Sequence, residues 1–210
     1  MSLLIEENAR VLFQGDSVTD AEHSREDDVD LGRGYAMMTA AWFSALHPGT
    51  RARFFNRGIG GNRIRDLETR WKKDCLDLAP TWVSILIGIN DTWRRFDSNE
   101  ITTPAAFEAS YRAILEQTTR NTHARLILCE PFLLPVQEGQ AAWRADLEPK
   151  IAITRQLGRA YGAICLPLDD VFLHAATLRP AEFWLRDGVH PTSAGHALIA
   201  QTWLKAVGAQ

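Results

Sequence analysis

The chain has 210 residues, 46% hydrophobic and 23% charged, the composition of an ordinary globular protein rather than a disordered one. With 23 basic and 26 acidic residues the net charge is −3, so there is no basic footprint and no nucleic-acid partner is expected. No run approaches about 18 uninterrupted apolar residues, so no membrane-spanning segment is expected either.

In chain order, residues 10–14 predict a first strand and 34–46 a helix. A second strand is expected over 52–56, a helix over 64–78 and a third strand over 82–87. A helix over 104–121 follows, opened by Thr102-Thr103 as a cap with Pro104 in its first turn. A fourth strand at 125–130, a helix at 140–161 and a fifth strand at 163–168 come next. A helix over 192–207, capped by Thr192 or Ser193, closes the chain. The strands read as nearly continuous apolar runs, the pattern of a sheet covered by helices on both faces. The expected fold is α/β: one domain over 1–210, a three-layer α/β/α sandwich with a five-stranded parallel sheet, flavodoxin-like in organisation. Residues 1–10 carry no basic flank leading into an apolar run, so no secretory signal is expected. Cys75, Cys129 and Cys165 are widely spaced, which suits free thiols in a reducing compartment and a cytoplasmic location.

The residues that carry chemistry follow the strands. Gly15-Asp16-Ser17 comes after the first, Gly58-Ile59-Gly60-Gly61-Asn62 after the second and Gly88-Ile89-Asn90-Asp91 after the third; Asp187-Gly188-Val189-His190 precedes the last helix. A parallel sheet brings strand exits to one edge, where open α/β sheets bind ligands. A serine hydroxyl needs a neutral imidazole to take its proton, and an aspartate three residues before a histidine can accept the other ring N–H. Ser17, His190 and Asp187 are therefore the candidate nucleophile, base and orienting carboxylate. The Ser17 and Gly61 backbone N–H groups and the Asn90 amide are candidate oxyanion donors. Asp16 and Asp20 read as hydrogen-bond acceptors for turn backbone. The remaining histidines lack ligand spacing, no CxxC occurs, and Arg63 stands where a GxGxxG loop needs its third glycine. Neither metal nor cofactor is predicted.

The four blocks, in order and spanning residues 15–191, resemble the SGNH (GDSL-type) hydrolase family in its Ser, Gly, Asn and His positions. The resemblance implies the Ser17-Asp187-His190 triad and an oxyanion hole of Ser17, Gly61 and Asn90, with the doubled Gly60-Gly61 leaving open which glycine donates. More narrowly, Asn56-Arg57-Gly58, Arg65-Asp66-Leu67 and Ile87 to Arg94 look like the intracellular acetylxylan and xylo-oligosaccharide esterases of that superfamily. That implies a serine esterase removing acetyl groups from sugars, with a small-molecule ester as its partner and a homo-oligomer as its assembly. Lysophospholipase, thioesterase and arylesterase activities use the same residues, and a carbohydrate-binding module is the rival from another class. Trp93 and Trp184 lie near the blocks as a sugar platform, an acyl-pocket wall or plain packing. Arg94 is a candidate for binding a substrate hydroxyl. Trp42, Trp71, Trp82, Trp143 and Trp203 read as core or interface residues.

Overall fold

The computed structural model describes residues 2–210. The first apolar run forms β1 (Arg10–Gly15), in which Val11, Leu12 and Phe13 are fully buried. A single turn, α1 (Ser17–Asp20), follows, then α2 (Tyr35–Leu46) and β2 (Arg53–Gly58). Next come α3 (Ile64–Asp74), β3 (Trp82–Leu86), α4 (Ile89–Asp97) and α5 (Pro104–Asn121). The chain ends with β4 (Arg125–Cys129), α6 (Arg144–Ala160), β5 (Ile164–Leu166), α7 (Leu168–Leu178), α8 (Ala181–Trp184) and α9 (Ser193–Ala206).

The five strands are parallel in the order β2-β1-β3-β4-β5, the flavodoxin-like arrangement. Its topological switch point lies between β1 and β3. Gly15 pairs with Gly58 on one side and Leu86 on the other, so three strand exits lie level at that point. Side chains alternate along each strand and feed two cores. Phe13, Trp82 and Ile127 pack with Phe43 of α2, Phe172 of α7 and Trp203 of α9. Leu12, Val83 and Leu128 pack on the opposite face with Trp71 of α3, Tyr111 of α5 and Leu157 of α6. This is the expected three-layer sandwich. No helix among the described residues is long and apolar enough to cross a membrane.

Some boundaries differ from expectation for physical reasons. β2 runs on to Gly58 because its last residues pair with β1. β5 stops at Leu166 because Pro167 has no N–H for the ladder, and α7 starts at Leu168. The last helix is capped by Thr192, whose hydroxyl accepts from the Gly195 N–H at 3.3 Å. The expected cap of α5 forms through Thr103, which accepts from the Ala106 N–H at 3.2 Å.

Two glycines let α1 sit directly on the sheet edge. A Cβ on Gly15 would lie 2.4 Å from the Leu86 carbonyl oxygen, and one on Gly58 would lie 2.2 Å from the Asp20 backbone nitrogen. Any side chain at either position would push away the turn that carries Ser17.

Candidate active site

Ser17 opens α1 immediately beyond β1. Asp16 caps the turn by accepting the Val18 N–H at 3.0 Å. Burial pushes the Asp16 carboxyl up to about 7, partly offset by that hydrogen bond and by the neighbouring His190. Asn56 fastens α1 from below. Its amide donates to the carbonyls of Thr19 at 2.7 Å and Leu31 at 2.9 Å, and its oxygen accepts the Gly58 N–H at 2.9 Å.

The loop after β2 is tied to the same turn. Asp20 accepts the Gly60 N–H at 2.9 Å, so the first of the doubled glycines is occupied. Neither the Gly61 nor the Ser17 backbone N–H has an acceptor among the described residues. Asn90, at the start of α4, is nearly buried and gives one amide hydrogen to the Asn62 carbonyl at 3.1 Å. An amide group has two hydrogens, so one remains to be donated. Arg70 reinforces the loop by binding the Asn62 side chain at 2.9 Å and the Gly15 carbonyl at 3.3 Å.

The loop between α8 and α9 brings in the remaining candidates. His190 Nε2 lies 2.9 Å from Ser17 Oγ, and His190 Nδ1 lies 2.6 Å from Asp187 Oδ2. The other Asp187 oxygen accepts the backbone N–H groups of Val189 at 3.0 Å and His190 at 2.8 Å. Burial raises the Asp187 carboxyl, but the backbone and ring of His190 and the Val189 N–H outweigh it and hold the group below the usual carboxylate range. An ionised Asp187 only accepts, which puts the imidazole proton on Nδ1 and leaves Nε2 free to accept from Ser17. Such an arrangement can draw a proton from the hydroxyl and return it to a leaving group. Gln140 holds this loop: its amide donates to the Asp187 carbonyl at 2.7 Å, while its oxygen accepts from Val136 and Gln137, both at 2.9 Å.

Around this centre the flanking candidates separate. The Trp93 ring stands 5.8 Å from the His190 ring and 5.4 Å from Trp143, which stacks on Phe96. Trp143 is half-buried and packs with Trp93 against the small cluster of Ile89, Leu147 and Val189 beside the site, Trp42 is 57% exposed, and Trp71, Trp82 and Trp203 are fully buried. Arg94 pairs with Asp97 at 2.7 Å, and its guanidinium lies 3.7 Å from where a Gly61 Cβ would be. Trp184 points elsewhere. Its indole N–H is bound to the Ala175 carbonyl at 3.0 Å and its ring faces a separate groove with Met38 and Trp42, so it is a packing residue. Ser17 and His190 open into a cleft of about 630 Å³ that continues over Glu22, Arg33, Arg186 and His196. Among the described residues no His, Cys, Asp or Glu group is arranged to hold a metal.

Asn56 and Asn62 stand within the sequence blocks, but their bonding depends on contacts to α1 and α4 that no local pattern displays. Gln140 and His196 carry no sequence signal at all. The bonds that bring them to the site, Gln140 to Asp187 and Tyr35 to His196, span 47 and 161 positions.

The sequence model of the GDSL-like lipase/acylhydrolase family matches residues 13–198. The chain belongs to that family. This GDSL-family acylhydrolase is a carboxylic ester hydrolase. It is 32% identical over 208 residues to an acetylxylan esterase from Geobacillus stearothermophilus, covering 95% of this chain and 94% of the relative. The crystal structure of an acetylxylan esterase from that organism superposes on the GDSL-family chain with a TM-score of 0.91 at 29% identity, over 98% of this chain and 97% of the other. Three further structures of that esterase are catalytic mutants in which a serine, an aspartate and a histidine are each replaced by alanine. A structure from Parabacteroides merdae, named as a GDSL-like lipase, gives a TM-score of 0.95 at 32% identity over 100% of both chains.

Proposed function

We propose that this hydrolase is a serine esterase that removes acetyl groups from small saccharides through an acyl-enzyme. Ser17 Oγ attacks the ester carbonyl as His190 Nε2 takes its proton, and Asp187 stabilises the imidazolium that forms. The negative charge on the tetrahedral oxygen falls to the Ser17 N–H, the Gly61 N–H and the free amide hydrogen of Asn90. His190 then hands its proton to the departing sugar oxygen. A water molecule repeats the sequence against the acetyl-serine and regenerates the hydroxyl.

The observation that carries the mechanism is the unbroken relay of 2.9 Å and 2.6 Å joining Ser17, His190 and Asp187. Asp20 occupies Gly60, which supports Gly61 as the glycine donor. The saccharide rests on the acetylxylan and acetyl-xylooligosaccharide esterases among the relatives, together with the charged walls of the cleft.

Acetate release should be fastest from acetylated xylo-oligosaccharides, slower from phenyl acetate and negligible from octanoyl esters. A preference for octanoyl esters would replace the proposal with a lysophospholipase or thioesterase. Ser17→Ala should lower kcat by about 10⁴–10⁶-fold with an unchanged circular-dichroism spectrum. Wild-type turnover in that variant, or failure of the native protein to label with a fluorophosphonate, would remove Ser17 as nucleophile.

A further inference from the structure

We propose that His196 is a specificity-determining residue that recognises the alcohol half of the ester, its Nε2–H donating to a hydroxyl or ring oxygen of the departing saccharide. The proposal rests on the deacetylation reading above and names a contact on its leaving-group side.

The sides of the site are distinguishable by the chemistry each must perform. The leaving oxygen collects its proton from His190 Nε2, so the alcohol must lie on the His190 side of Ser17. The oxyanion and the acyl group belong beside Gly61 and Asn90. The large cleft is bordered by Ser17, His190 and His196 but not by Gly61 or Asn90. It is therefore the alcohol side. His196 enters it from the first turn of α9, one helical turn beyond Thr192, the cap of that helix.

The ring is fixed in position and in tautomer. The Tyr35 backbone N–H, at the start of α2, donates to His196 Nδ1 at 3.1 Å. A backbone amide has no other role, so Nδ1 carries a lone pair and the ring hydrogen of the neutral form sits on Nε2. Burial, followed by the positive charge of Arg186 and His190, pushes His196 down to about 4, so the ring is neutral at neutral pH. The Nε2–H has no acceptor among the described residues, and it is not among the buried polar atoms left without a partner. It opens instead to the cleft.

A preset donor discriminates in one direction. An alcohol with an oxygen in reach satisfies it, whereas an alcohol without one displaces its water and leaves it unpaired. The remaining wall agrees with a polyhydroxylated group. The guanidinium of Arg186 has no ion-pair or hydrogen-bond partner among the described residues, and Arg33 and Glu22 pair across the rim at 3.0 Å.

Two substitutions separate recognition from support. In His196→Asn the side-chain oxygen takes the place of Nδ1 and keeps the Tyr35 N–H bonded, but nothing reaches the Nε2 position. In His196→Gln the amide regains that position and gives up the bond to Tyr35. The readout is the ratio of kcat/KM for an acetylated xylo-oligosaccharide to that for phenyl acetate, which is independent of the fraction of folded enzyme. His196→Asn should lower the ratio roughly 5- to 20-fold, chiefly through KM for the sugar ester. His196→Gln should recover most of it despite a lower Tm. An unchanged ratio in His196→Asn, or the larger fall in His196→Gln, would assign His196 to capping α2 and overturn the proposal. If native enzyme cleaves phenyl acetate but no acetylated sugar, the deacetylation reading fails and takes this proposal with it, an outcome visible before any variant is made.

Discussion

Asp16 shows how one side chain beside Ser17 shapes the pH response of the whole protein. Its folded value of about 7 stands above the ordinary 3.8 because burial penalises the charged form. Between about pH 4 and 7 the folded protein therefore holds a proton that the unfolded chain has released. The contribution to stability is complete below pH 4 and lost as pH rises through 7, by an amount of order 4 kcal/mol. Asp16→Asn keeps an oxygen for the Val18 N–H and carries no charge at any pH. Relative to wild type, the variant should gain stability by a few kcal/mol between pH 5 and pH 8, read from urea unfolding at both values. Parallel behaviour of the two proteins would mean that the Asp16 carboxyl titrates in its ordinary range.

The short turn α1 cannot hold itself in place. Four residues are far below the length at which a helix is stable alone, so its position comes from Asp16 above and Asn56 below. Asn56→Ala would leave the Thr19 and Leu31 carbonyls and the Gly58 N–H without their partner. Orphaned buried groups cost about 1–3 kcal/mol each, so a loss of about 3 kcal/mol or more is expected. The turn also fixes Ser17 relative to His190, and a displacement of about 1 Å at a reacting atom lowers the rate by about 10²-fold. We expect kcat to fall at least 10-fold in Asn56→Ala, measured at a temperature where the variant is fully folded. A native kcat there would show that α1 is positioned by the glycine contacts alone.

Across the molecule, the site depends on joining the two ends of the chain. Ser17 and His190 are separated by 173 positions, and α9 must pack on the sheet for them to meet. Trp203 makes that union. Its ring sits 5.7 Å from Phe13 of β1, and its indole N–H donates to Ser84 of β3 at 3.2 Å. Trp203→Ala removes a fully buried indole and should cost about 3–5 kcal/mol, lowering Tm by about 10 °C. Calorimetry that left Tm in place would show that α9 docks through its other contacts.

The candidate centre was legible in the chain because its chemistry is local. Ser17 follows an apolar strand, Asp187 precedes His190 by one loop, and the strand rhythm alone sends the first three blocks to one sheet edge. The sequence leaves Trp184 open between a platform, a pocket wall and packing, because proximity in sequence to a block does not say which way an indole points; in the fold it lines a groove away from Ser17. That the Gly60 N–H is taken while the Gly61 N–H stays free depends on Asp20, forty positions away. Periodicity and short motifs thus determined the architecture and the reactive types, since both repeat over a few residues. Only the packed chain decided which donors stay unpaired and which ring nitrogens of His190 and His196 accept a hydrogen bond, because each depends on a hydrogen-bond partner that the elements bring from elsewhere in the fold.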